Sequence, residues 1–189
     1  DVASQVERVV ATGYISGSPR NIAWSADSQW VAYLGLSTRS FRNVYIVPAA
    51  GGDSRPVTAI PNANTNTLTW SPDGTFLVFN TSQRTEDTAV VRVDLIPRAP
   101  TFAEDEFQDL FRDAPARGGG AGAGRGRAGG APTPPAEPEA VEIDFADIRR
   151  RVSSVALDSN YSAQGISPDG EWLLASGDDN LYVYPLGES

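Results

Sequence analysis

The chain contains no cysteine and no histidine, and its 15 basic residues are all arginine. Without cysteine there is no disulfide framework, thiol nucleophile or thiolate metal site. Without histidine there is no Ser-His-Asp triad and no imidazole ligand for zinc. The lack of lysine points to a bias toward arginine codons and to no mechanism. No apolar run approaches the roughly 18 residues that a helical membrane span needs. Basic residues are outnumbered by 24 acidic ones, giving a net charge of −9. An acidic surface repels phosphate backbones, so nucleic acid is not an expected partner. The chain begins at Asp1 rather than Met, and a leader peptide removed beforehand is expected.

What the chain does have is a repeat. Three segments align: Asn21-Ile-Ala-Trp-Ser-Ala-Asp27-Ser-Gln-Trp30, Thr67-Leu-Thr-Trp-Ser-Pro-Asp73-Gly-Thr-Phe76 and Ala163-Gln-Gly-Ile-Ser-Pro-Asp169-Gly-Glu-Trp172. Each leads from a serine (Ser25, Ser71, Ser167) through a turn into an aromatic residue and an apolar run. In the second and third copies Pro presets φ, and Gly74 or Gly170 closes a type I turn in the left-handed conformation. The first copy has Ala26 and Ser28 at those places and should turn less readily. Asp27, Asp73 and Asp169 invite two readings, calcium ligands or acceptors for their own turn backbone. The second is favoured because Asp in this position routinely bonds the chain two residues on.

Further strands extend the unit. Asn43-Val-Tyr-Ile-Val-Pro48 and Asn180-Leu-Tyr-Val-Tyr-Pro185 are near copies, with Ala89-Val-Val-Arg-Val-Asp94 in the same place between them. Upstream of each turn lies Arg8-Val-Val10, Pro56-Val-Thr58 or Arg151-Val-Ser153. Four β-rich elements per unit, with Ser25 and Ser71 lying 46 residues apart, describe the blade of a β-propeller. The fold class is therefore all-β: about three four-stranded repeats, a partial propeller, with one long insertion. Residues 1–20 are assigned to an outer strand of a preceding or shared blade. One blade spans 21–58, a second 67–98 with 141–153, and an incomplete one 163–189. Trp30, Phe76 and Trp172 are expected to be buried equivalently between neighbouring sheets.

The insertion, 99–140, explains why Ser167 lies 96 residues after Ser71. It opens with the capping box Thr101-Phe-Ala-Glu104, predicting a short helix over about 102–112 with Phe107, Leu110 and Phe111 on one face as a possible docking surface. A Gly, Ala and Pro-rich stretch follows, too poor in apolar residues to offset its ordering entropy. Val141, Ile143 and Phe145 alternate with acids and predict a strand re-entering the sheet. Arg149-Arg150-Arg151 reads as a solvated edge.

The Trp-Ser-Pro-Asp-Gly repeat, with its Asn-Val-Tyr-Ile-Val-Pro strand ending in Gly51-Gly52, resembles the propeller repeats of the Tol-system periplasmic protein and of tricorn protease. Val93-Asp-Leu-Ile-Pro-Arg98, Glu104-Asp-Glu-Phe107 and Val141-Glu-Ile-Asp-Phe145 with Arg149-Arg-Arg-Val152 resemble the joining segment of bacterial tricorn-like peptidases. The resemblance implies a periplasmic or extracellular propeller that filters or docks peptides ahead of a serine peptidase core. It implies protein or peptide partners. No cofactor is expected, and because three repeats do not close a ring of about four to eight blades, completion by a homo-oligomer or by the rest of a longer chain is expected. The family's catalytic serine and histidine match no position here, so no enzymatic activity is expected of this segment. Two other readings stay open: a stand-alone extracellular structural subunit that assembles through propeller strands, and an Asp/Glu enzyme using pairs such as Asp178-Asp179 or Glu104-Asp105.

Overall fold

Each repeat turn is closed by its own residues. The computed structural model describes residues 7–15, 18, 21–60, 62–63, 67–82, 87–98, 140–157 and 160–186. In all three turns the serine amide and hydroxyl both serve the following aromatic. Ser71 N–H donates to the Phe76 carbonyl at 2.9 Å, and Phe76 N–H donates back to Ser71 Oγ at 3.0 Å. Ser25 does the same with Trp30 and Ser167 with Trp172. The turn's last residue lies in the left-handed region each time, Gly74 at φ +73° and Gly170 at +78°. Ser28 adopts it at +60° despite its side chain, at a cost that glycine does not incur.

These turns launch antiparallel meanders. The first sheet joins β1 (Ile22–Trp24), β2 (Trp30–Leu36), β3 (Arg42–Pro48) and β4 (Arg55–Pro56) in that order. The second joins β5 (Thr69–Trp70), β6 (Phe76–Thr81), β7 (Ala89–Asp94) and β8 (Val152–Ser154). The third joins β9 (Ser162–Ile166), β10 (Trp172–Gly177) and β11 (Asn180–Pro185) among the described residues. The β10–β11 hairpin turns on Asp178 and Asp179, whose φ values of +48° and +60° are those of a type I′ turn. That adjacent acidic pair is thus accounted for by local geometry.

The sheets pack face to face. Ala32, Leu34, Val44 and Ile46 of the first meet Leu77, Phe79, Val91 and Val93 of the second in the main core. Phe76, Val78 and Val90, on the second sheet's other face, meet Ala163 and Leu173 of the third. Polar side chains stitch the same junctions. Trp70 Nε1 donates to the Ala23 carbonyl at 3.1 Å. The buried Asn80 amide donates to the Tyr161 carbonyl at 3.0 Å and accepts from Ala163 N–H at 3.1 Å.

The returning segment 141–145 is not a strand. The β7 edge is already taken by β8, so the segment docks by side chains instead. Ile143 is buried, and Val141 and Phe145 pack beside it. Its backbone reaches the blades through Val141 N–H to Asp27 Oδ2 at 3.1 Å and Asp144 N–H to the Leu95 carbonyl at 3.0 Å. Arg151, read from sequence as part of a solvated edge, is largely buried. Its guanidinium donates to the carbonyls of Leu95, Asp144 and Ala146 and to the Asp144 carboxylate. Only Arg149 and Arg150 stand in solvent. Residues 7–10, assigned to an outer strand, carry no strand pairing among the described residues. Val10, Ala11 and Ile15 instead lie against Val31, Tyr33 and Val47 on the first sheet's outer face.

Candidate docking surface

The register of the second strands sorts their residues by face. Trp30, Phe76 and Trp172 open β2, β6 and β10, and the residues two further on, Ala32, Val78 and Leu174, share their faces. In the first two sheets this face is covered by the next sheet in the chain. Phe76 is accordingly only 6% exposed, and Trp30 is half-buried against Phe145 with ring centroids 5.9 Å apart.

The third sheet departs from this pattern, and with it the expectation for Trp172. Trp172 is 43% exposed, because no further sheet among the described residues lies against its face. Leu174 pairs with Val183, Trp172 with Pro185 and Ser176 with Leu181, so all six share that face. Val183 is 62% and Leu181 70% exposed. Such contiguous apolar exposure on a folded sheet makes this face the candidate docking surface. On the opposite face of the same strands Leu173 and Ala175 are fully buried, Leu173 in a cluster with Phe76, Val78 and Val90 of the second sheet. Sequence reasoning placed Trp172 at the right register but missed Leu174, Leu181 and Val183. Their alternation in Asn180–Pro185 was visible, yet it does not say whether either face has a neighbour.

At one end of this face the second and third turns border a cleft of about 630 Å³, lined by Pro72, Asp73, Phe76, Asp169, Trp172 and Pro185 among others. The Arg92 guanidinium lies 3.6 Å from the Phe76 ring centroid and pairs with Asp94 at 2.6 Å, both side chains largely buried. Asp73 and Asp169 are committed to their own turns, accepting from Thr75 N–H and Glu171 N–H at 3.1 Å each. Asp27 accepts equivalently from Gln29 N–H at 3.0 Å. Partial burial pushes the carboxyls of Asp27 and Asp73 up, but bonds from the turn serines and backbone amides outweigh it and hold both below the ordinary value. For Asp169 the Ser167 hydroxyl is the main cause of the same lowering. No group of three or more acidic, His or Cys side chains suited to a metal ion occurs among the described residues. The possible docking helix with Phe107, Leu110 and Phe111, and the Glu104-Asp105 pair, lie outside the described residues.

Neither a protein-family model nor a curated protein sequence matches the chain. Solved structures do. TolB from Acinetobacter baumannii superposes with a TM-score of 0.52 at 17% identity, over 88% of this chain and 29% of that one. A TolB-type protein from Agrobacterium tumefaciens gives 0.52 at 13% identity, over 95% of this chain and 50% of that one. The fold is that of a partial β-propeller. Tricorn protease is also similar, with a TM-score of 0.44 at 14% identity over 88% of this chain and 21% of that one. The chain thus spans from about a fifth to half the length of these propeller proteins. No helix among the described residues is long and apolar enough to cross a membrane.

Proposed function

We propose that the chain is a non-catalytic β-propeller segment of a secreted or periplasmic tricorn-like peptidase, serving in peptide access, protein docking or assembly. The observation that carries this reading is the uncovered face of Trp172, Leu174, Leu181 and Val183. Its two equivalents within the chain are each covered by a blade sheet of the same repeat. A further blade of that repeat is therefore the occupant whose shape and chemistry fit it. The tricorn-like assignment rests on the sequence pattern of segments 93–98, 104–107 and 141–152. Any peptide-bond cleavage would belong to parts of the protein beyond this segment, since the chain offers no histidine to a serine nucleophile.

The alternative, a self-assembling structural subunit, would join the third sheet of one copy to the first sheet of the next. That mating surface is the one against which Val10, Ala11 and Ile15 already pack, so copies would have to displace them. A blade from the rest of a longer chain faces no such cost on the third sheet.

Light scattering on the purified 189-residue chain tests the reading. Self-association or loss of cooperative folding is expected, relieved by the double variant Leu181→Glu, Val183→Glu, which makes the bare face tolerate water. A wild-type chain that is a folded, cooperative monomer at micromolar concentration overturns it.

A further inference from the structure

A second surface, sharing no lining residue with the turn cleft, is a groove built from two adjoining depressions of about 510 and 540 Å³. They share Pro56 and Arg149. Phe145 and Ile148 line one, and Phe41, Tyr45 and Ile60 line the other. Phe41 is 47% exposed there, an aromatic left to water beside a strand.

The lining charges are lopsided. Arg39, Arg55, Arg149 and Arg150 border the groove against a single acid, Asp147. This occurs in a chain whose net charge is −9. Asp147 offsets little, since it reaches Arg150 only at 3.8 Å with both side chains in solvent. Arg39, Arg55 and Arg149 have no ion pair among the described residues. Arg55 lies over the Phe145 ring, 4.7 Å from its centroid. That contact steadies the guanidinium over the apolar floor while leaving its N–H groups to an incoming carboxylate.

We propose that this groove receives an extended acidic peptide segment, with carboxylates on the arginines and an aliphatic or aromatic side chain on the Phe41–Tyr45–Ile60 floor. Charge complementarity selects the occupant. A small anion would satisfy one arginine and leave the floor bare. A nucleic acid would bring a continuous phosphate chain toward a protein that is acidic elsewhere. An acidic peptide places negative charge where the cations stand and covers apolar surface between them. The groove lies between β3, β4 and the 3₁₀ turn Ile148–Arg150, so its use is independent of whether a further blade covers the third sheet.

Fluorescence anisotropy with a labelled peptide alternating Glu with Leu and Phe, added to the full chain, tests this. Binding that weakens as salt rises is expected, together with a loss of about tenfold or more for Arg39→Glu with Arg149→Glu. Those side chains are exposed, so circular dichroism of that variant should match the parent. Phe41→Ser should weaken binding without changing the salt dependence. The proposal is overturned by absence of binding, by equal binding of the same peptide with Lys for Glu, by an unaffected double variant, or by tighter binding of a single-stranded oligonucleotide.

Discussion

Ser28 is where the repeat departs from its own rule. Gly74 and Gly170 sit in the left-handed region without a Cβ, whereas Ser28 holds φ +60° with one. For an L-residue that conformation costs roughly 1–2 kcal/mol. Glycine would recover that strain but lose roughly 0.5–1 kcal/mol through the freer unfolded chain. Ser28→Gly should therefore stabilise the chain by about 0.5–1 kcal/mol, read as a higher urea midpoint at unchanged slope. The same substitution logic runs in reverse at Gly74. A methyl group there would come within 2.7 Å of Val141 Cγ2 in addition to the strain at φ +73°, so this glycine serves the docking of the returning segment as well as its turn. At Gly177 the reason is steric alone, because a Cβ would clash with the Tyr161 ring.

Among the elements, the segment 141–151 shows how a period-2 pattern can be right about faces and wrong about pairing. Ile143 points into the core and Glu142 out of it, as alternation predicts. A strand also needs a free edge, and the edge of β7 belongs to β8. What holds the segment instead is Arg151, which no local pattern distinguished from Arg149 and Arg150. Its guanidinium satisfies the carbonyls of Leu95, Asp144 and Ala146 and pairs with Asp144 at 3.0 Å. Arg151→Met keeps the stem but strands these acceptors, and should cost about 2–3 kcal/mol in chemical denaturation. Arg150→Met, exposed and weakly paired, should cost less than about 0.5 kcal/mol. Equal effects of the two variants would contradict the assignment.

For the whole molecule, the three turn carboxylates set the response to acid. All three have folded values below the ordinary one of 3.8. The folded state therefore binds fewer protons than the unfolded chain near that pH. Their contribution is fully present above about pH 4 and is lost as pH falls through the depressed folded values. The chain has no histidine to titrate between about pH 5 and 8. Urea midpoints should accordingly hold steady across that range and fall below about pH 4, and Asp73→Asn should shrink the fall. A midpoint that rises on acidification would contradict the role given to these aspartates. Association through the third sheet, as proposed above, should by contrast persist at neutral pH, because burial of Leu181 and Val183 involves no titrating group.

The all-β repeat fold was legible from the chain alone because its causes are local. Ser-Pro-Asp-Gly presets φ and satisfies its own backbone within a few residues, and strands such as Asn43–Pro48 and Asn180–Pro185 advertise both faces by alternation. Tertiary structure decided which faces find a neighbour. Phe76 and Trp172 stand at the same register after the same turn, yet one is buried and the other exposed, since burial depends on the sheet lying opposite rather than on the residue. It likewise decided that Asn80 would bridge two sheets across more than 80 residues of sequence, and that Arg39, Arg55 and Arg149, scattered along the chain, would border one groove. Hydrogen bonds inside a turn are written by neighbours in sequence; apolar cover and charge clustering are written by neighbours in space.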